Sequence, residues 1–316
     1  MSDELPLFVY GTLKPGQLAF RQIAALVEPK PERAELLRHQ LYIRDGLPAV
    51  MPTNYPSNVV GYLLRPLPGS IEELNNVLSR FEPKTLYTLP QVVEVETFAG
   101  TNLARTHQMK APKKSNPLPS DYNEWGLEFD PLFSVALPVL TELIRRAKTS
   151  VFPDADSADF WRDYIPMQGY LLALCGVLER YLTLAYGLQD SINARLEKLG
   201  GSDEGQHSTQ LAVVPPPAVS RADTLGRVSG ERNYWKVWYQ IRSNLVHRGK
   251  AAHRDFDVVA DAVYGLHDAL RHLLASQLPA LVERWELIDD GVDWALNSPR
   301  HSDSNDYVDC EEDDED

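Results

Sequence analysis

Leu5-Pro6-Leu7-Phe8-Val9-Tyr10, followed at once by Gly11-Thr12-Leu13-Lys14-Pro15-Gly16, decides how the first third of this 316-residue chain is built. The apolar run is rich in β-favouring residues and predicts a buried strand. Gly11, Pro15 and Gly16 interrupt it, so the strand should enter a loop that opens a helix from Leu18 to Leu26. Backbone N–H groups left open at such a junction can hold an anion, an amino-acid carboxylate among them. Outward from there, strand-like pieces recur at Gln40–Ile43, Val59–Leu64 and Gln91–Thr97. The spacing of apolar residues predicts a helix over Ile71–Phe81, with Ser70 as N-cap and Glu73 at N3, the pattern of a capping box. Mixed strands with few helices predict a small α+β barrel or sheet domain over residues 1–110.

The pattern then changes. Residues 111–130, with Pro112, Pro117 and Pro119, read as a linker. From Pro131 the apolar spacing turns helical, over Leu132–Lys148, Phe160–Tyr186 and later Phe256–Leu274. A helical domain over 131–290 is expected, interrupted by a flexible insertion at about 200–230 that contains Pro215-Pro216-Pro217. His207 in that insertion reads as solvated, and His267 and His272 as packing or surface residues. The closing segment, 291–316, reads as an acidic disordered tail.

A second informative stretch is Tyr239-Gln240-Ile241-Arg242-Ser243-Asn244-Leu245-Val246-His247-Arg248-Gly249-Lys250. Tyr234, Trp238, Ile241 and Leu245 form an amphipathic seam, and Gly249 supplies a helix stop. His247 then lies in the last turn, where unsatisfied carbonyls favour imidazolium. Asn244 shares its face, three residues away, and Arg242 adds a fixed cation. A cation, a titratable imidazole and an amide suffice to deprotonate a ribose hydroxyl, stabilise a phosphorane and protonate a leaving oxygen without metal. The plain alternative is an Arg and a His that merely cap a packed helix.

Both stretches resemble known families. Phe8-Val9-Tyr10-Gly11-Thr12-Leu13, Asp45-Gly46-Leu47-Pro48-Ala49-Val50, Val59-Val60-Gly61-Tyr62-Leu63, and Leu78-Ser79-Arg80-Phe81-Glu82 followed by Tyr87 resemble, in order, four motifs of the gamma-glutamylcyclotransferase-like family. That resemblance implies Glu82 as general acid/base and Tyr10, Gly11, Thr12, Leu13 and Tyr87 around a γ-glutamyl substrate. The sequence departs from the family at Pro83, at Tyr87-Thr88-Leu89, and in a final strand only loosely echoed by Asn102–Met109. Arg242-Ser243-Asn244-Leu245-Val246-His247 resembles the R-x4-H signature of the HEPN superfamily. This implies an all-α helical bundle, a metal-independent endoribonuclease centred on Arg242, His247 and Asn244, and a homodimer with facing motifs. Arg248, Lys250 and Arg254 would contact flanking phosphates. The helix Tyr170–Tyr181 resembles the one preceding the catalytic helix in that superfamily. Its Glu179 could orient Arg242 or His247, although a mid-helix Glu-Arg pair is more often surface charge, the reading favoured here.

Bulk properties narrow the field. The net charge is −14, but residues 302–316 hold nine acids and no Lys or Arg, leaving −5 for the rest. The window Glu231–Arg254 carries six Lys/Arg against one acid. A local basic patch on an acidic protein suits contact with a few phosphates and disfavours tight non-specific nucleic-acid binding. Two cysteines suggest no disulfide framework. No apolar run approaches the ~20 residues of a spanning helix, and no leader is visible, so a cytoplasmic protein without membrane contact is expected. No C-x-x-C, H-E-x-x-H or P-loop spacing occurs, so neither metal nor other cofactor is expected.

Three functions fit these readings. One is a bacterial conflict or defence effector that cleaves RNA, with the first domain sensing a metabolite and an antitoxin or regulatory protein as partner. Another is a γ-glutamyl cyclotransferase releasing 5-oxoproline, with the helical domain serving for dimerisation. The last is a non-catalytic regulator that binds a metabolite or a partner protein.

Overall fold

The structure is a computed structural model. It describes residues 5–44, 47–82, 87–110, 116–117, 123–147, 158–187, 189–212, 233–248, 256–278, 281–282 and 285. A small closed β-barrel leads into a helical region, giving a mixed α+β protein.

The barrel has the order β1-β5-β2-β6-β7, where β1 is Leu7–Val9, β2 Glu32–Leu37, β5 Asn58–Leu64, β6 Gln91–Thr97 and β7 Gly100–Thr106. Neighbours are antiparallel except at the seam, where β1 meets β7 in parallel at Leu7 and Arg105. Two side contacts tighten that seam. Thr106 Oγ1 donates to Phe8 O at 3.0 Å, and Arg105 N donates to Pro6 O at 2.8 Å.

The short first strand is apolar throughout because both its faces are covered. Phe8 joins the barrel core with Ala34, Leu36, Val59, Leu63 and Val95. Leu7 and Val9 face a separate layer formed by Ile23, Val27 and the helix α1, Ile71–Phe81. Along β2 burial alternates in the period of two expected of a strand with one solvated face. Gly61 of β5 lies against β1 so closely that a Cβ there would sit 2.3 Å from Val9 O.

Strands β3 (His39–Arg44), β4 (Leu47–Pro52) and β8 (Asn116–Pro117) form a second sheet in the order β4-β3-β8. The stretch read as a linker therefore contributes an edge strand. Further on, Asn123 O accepts from Val60 N at 2.8 Å, and Trp125 and Leu127 are buried.

Helix α1 has the bounds the periodicity predicts, with Leu74, Leu78 and Phe81 inward. Its capping box does not form. Ser70 makes no side-chain cap; its hydroxyl donates to Leu26 O at 2.7 Å and Leu67 O at 2.8 Å. The helix expected over Leu18–Leu26 is instead two 3₁₀ turns, Phe20–Gln22 and Ala24–Leu26. Tertiary bonds compete with its ladder: Ala19 N donates to Thr12 O, and Leu26 O accepts from Leu67 N.

The helical region comprises α2 (Leu137–Ala147), α3 (Ala158–Tyr186), α4 (Ile192–Gly201), α5 (Asp203–Leu211), α6 (Tyr234–Arg248) and α7 (Phe256–Gln277). A π turn, Leu132–Ala136, introduces α2. Tyr164, Leu171, Leu178 and Tyr181 of α3 pack in one core with Trp235 and Trp238 of α6. Helix α5 corrects the expectation that a flexible insertion begins at 200; Ser202 caps it by accepting from Gly205 N at 3.1 Å. The remainder of that insertion, 213–232, and the acidic tail lie outside the described residues. His207 is exposed, as is His272, while His267 is buried and shares a 3.0 Å hydrogen bond with Thr141. Among the described residues no helix is long and apolar enough to cross a membrane.

Candidate active site

The chain leaving β1 turns back on itself. Gly11 O accepts from Lys14 N at 3.0 Å and Thr12 O from Ala19 N at 3.1 Å. Lys14 is buried, and its ammonium donates to Glu124 at 2.7 Å, which pins the loop to the segment before α2. None of the backbone hydrogen bonds among the described residues uses the N–H of Gly11, Thr12 or Leu13. These donors border a pocket of about 520 Å³, part of it open to solvent.

Glu82 enters the same pocket from the end of α1, where its N–H donates to Leu78 O at 2.9 Å and closes the helix. Its Oε2 touches His107 Nδ1, just beyond β7. Tyr10 completes the group by donating from its hydroxyl to His107 O at 2.9 Å. Burial, reinforced by nearby Tyr87 and Glu82, pushes the Tyr10 phenol well above its ordinary range, so it remains a neutral donor. Tyr87 is buried at the rim, its hydroxyl donating to Pro48 O at 3.3 Å.

The fold thus brings Tyr10, Gly11, Thr12, Leu13, Glu82 and Tyr87 to one pocket. Sequence reasoning missed His107. It lies inside the loosely matching stretch Asn102–Met109, and no local spacing links it to Glu82; the link is made when β7 closes on β1. Also unforeseen is the contribution of Thr183, Leu184 and Gly187 from the end of α3.

Residues 7–127 match the family described as gamma-glutamyl cyclotransferase, AIG2-like. The N-terminal domain is AIG2-like. Three solved structures are similar to it. YkqA from Bacillus subtilis is 21% identical over 38% of this chain and 39% of its own, with a TM-score of 0.29. An uncharacterized protein from Pyrococcus horikoshii is 20% identical over 36% and 85%, with a TM-score of 0.28. An AIG2-like protein from Mus musculus is 15% identical over 39% and 88%, with a TM-score of 0.31. The chain therefore spans about two-fifths of the length of YkqA. No curated protein matches it in sequence.

Away from the AIG2-like pocket, the second stretch occupies α6. Tyr239 donates from its hydroxyl to Glu179 Oε1 at 2.7 Å, and Arg242 Nη2 lies 3.6 Å from the same oxygen. The guanidinium also sits 5.3 Å from the centre of the Tyr239 ring. Glu179 is therefore a partner of two α6 side chains, which corrects its reading as surface charge; its neighbour Arg180 turns to buried Asp130 at 3.6 Å. Asn244 accepts from Gln240 at 3.1 Å. Beneath them burial pushes the Cys175 thiol up to about 12, with Glu179 adding to the rise and Arg242 opposing it. His247 is on the same helix as Arg242. The side chains of His247 and Arg248, and all of Gly249 and Lys250, lie outside the described residues.

Proposed function

We propose that the AIG2-like pocket is a γ-glutamyl cyclotransferase site. The observation that carries this reading is Glu82, held at the end of α1 against His107, in one pocket with the loop Tyr10–Leu13. The loop's N–H groups bind the glutamyl carboxylate. Glu82 takes a proton from the α-amine as its nitrogen attacks the γ-carbonyl carbon. A C–N bond forms, the original amide C–N bond breaks, and Glu82 returns the proton to the leaving amine. The products are 5-oxoproline and a free amine, with no net proton change. His107 positions one carboxylate oxygen and leaves the other to the substrate. The test is 5-oxoproline release, followed by mass spectrometry, from purified protein given γ-glutamyl amines and dipeptides. Absence of product from all of them would falsify turnover and leave a binding domain that regulates.

A second reading is favoured by the state of Arg242. Glu179 and Tyr239 hold its guanidinium on the helix that carries His247, while its side chain stays 28% exposed. On this reading the helical region is a HEPN-type ribonuclease that acts as a homodimer in a conflict or defence system. His247 exchanges protons with the 2′-hydroxyl or the leaving oxygen, Arg242 stabilises the phosphorane, and Asn244 orients the phosphate. RNA should be cut to 2′,3′-cyclic phosphate ends in EDTA. Equal cutting of DNA rules the mechanism out, because DNA has no 2′-hydroxyl.

A further inference from the structure

Tyr10 lines the pocket, yet its hydroxyl is spent on the protein in both directions. It donates its proton to His107 O at 2.9 Å, and the N–H of Val50 in β4 donates to its oxygen. We propose that Tyr10 is a positioning residue that acts through His107 on Glu82, and that its hydroxyl makes no bond to the substrate. The inference rests on the cyclotransferase reading of the pocket and adds how the proton carrier is aimed.

His107 is held from both sides. It leaves β7 directly after Thr106, whose hydroxyl donates to Phe8 O at 3.0 Å. On the other side Gln108 O accepts from Thr88 N at 2.8 Å, and Gln108 N donates to the Thr88 hydroxyl at 3.3 Å. These bonds fix the two neighbours and leave the carbonyl of His107 to Tyr10. The direction of that carbonyl is coupled to the backbone torsion of His107, and so to the rotamer that aims its ring.

The ring meets Glu82 through Nδ1 and Oε2, and both atoms are shut off from water. A buried polar atom that loses its partner is costly, so a displaced ring obliges the carboxylate to turn as well. Tyr10 is suited to prevent this. It is 5% exposed, its ring stacks on Phe8 with centroids 6.4 Å apart, and burial keeps the phenol protonated, a donor for the His107 carbonyl.

The test measures kcat and KM for 5-oxoproline release from γ-glutamyl ethylamine by the full chain. Tyr10→Phe should lower kcat ~10-fold or more and leave KM within about twofold, because the carrier is misaimed while the substrate contacts persist. His107→Asn keeps an amide N–H at the reach of Nδ1, and should restore most of the rate lost in His107→Ala. The double variant Tyr10→Phe/His107→Ala should be no slower than His107→Ala, since Tyr10 works through that residue. A raised KM with unchanged kcat in Tyr10→Phe, or losses that multiply in the double variant, overturns the relay.

A second readout needs no turnover. In NMR spectra with isotope-labelled histidine, the His107 ring signal is assigned by its loss in His107→Asn. It should move in Tyr10→Phe as it moves in Glu82→Gln; an unmoved signal overturns the relay. A signal that moves while wild type releases no 5-oxoproline keeps the relay and sinks the turnover reading. If melting shows that Tyr10→Phe does not fold, a crystal structure of Glu82→Gln soaked with γ-glutamyl ethylamine takes its place. The Tyr10 hydroxyl should remain on His107 O, and a hydrogen bond from it to the ligand overturns the proposal.

Discussion

The AIG2-like pocket and the end of α6 both pair a glutamate with a nitrogen base, but they are assembled in different ways. At the pocket, Tyr10, Glu82 and His107 come from three segments separated by most of the first domain, and the Glu82 and His107 side chains are 17% and 11% exposed. On α6, Arg242, Asn244 and His247 follow one another along a single helix, and α3 supplies Glu179, whose side chain is 40% exposed. The enclosed pair interacts through low-dielectric surroundings, whereas the α6 pair is screened by water. A motif on one helix can therefore be conspicuous in sequence and weakly constrained in space, while an enclosed site draws on several short motifs and on a residue, His107, that belongs to none of them.

The largest expected effect comes from the enclosed site. Glu82→Gln keeps the shape but removes the proton carrier, and should lower 5-oxoproline release by ~10²–10⁴-fold with an unchanged melting temperature. Retained turnover would mean that the carboxylate is not the acid/base and that enclosure has no catalytic meaning here. If the end of α6 is a ribonuclease site, His247→Ala and Arg242→Ala should each reduce RNA cleavage by ~10²-fold in EDTA, read from the ends of a labelled RNA. Cleavage should weaken steeply with added salt if Arg248 and Lys250 contact flanking phosphates. A His247→Ala protein that cuts at the wild-type rate would reduce that helix to scaffold.

Two smaller effects sharpen the contrast in packing. Gly61→Ala places a methyl 2.3 Å from Val9 O and against the Phe8 ring, so β1 must shift. A loss of ~1–3 kcal/mol is expected from denaturant unfolding, with the pocket loop disturbed through β1. An alanine variant as stable as wild type would show that the seam yields easily. Cys175 tests the layer beneath Arg242. Its folded value, about 12, lies above the ordinary 9.0, so the thiol's stabilising burial is fully present below that ordinary value and is lost as pH rises through 12. At about pH 9 the folded protein should resist iodoacetamide at Cys175, by peptide mass spectrometry, while the unfolded chain reacts readily. Rapid labelling would show that α3 and α6 separate in solution.

What could be read locally was what the chain settles locally. The bounds of α1 follow from apolar residues spaced to make one face, and β1 is recognisable because a strand covered on both sides has no polar alternation to lose. The loop Tyr10–Leu13 and Glu82 were also legible, as consecutive residues around a strand end and a helix end. The failures share one cause. Ser70 gives its hydroxyl to Leu26 and Leu67, and the Leu18–Leu26 segment breaks into 3₁₀ turns, because partners far along the chain compete with local ones.

By itself, then, the sequence determined β1, β3, β5, β6, α1 and the long helices α3, α6 and α7, with the side-chain types offered at their ends, since periodicity and turn residues act over a few positions. Tertiary structure alone decided that His107 meets Glu82, that Glu179 holds Tyr239 and Arg242, and that α3 walls the pocket. Those contacts arise from barrel closure and from the packing of α3 against α6 and α1. Their energies depend on burial and on distances between segments, and neither is encoded in the spacing of any one segment.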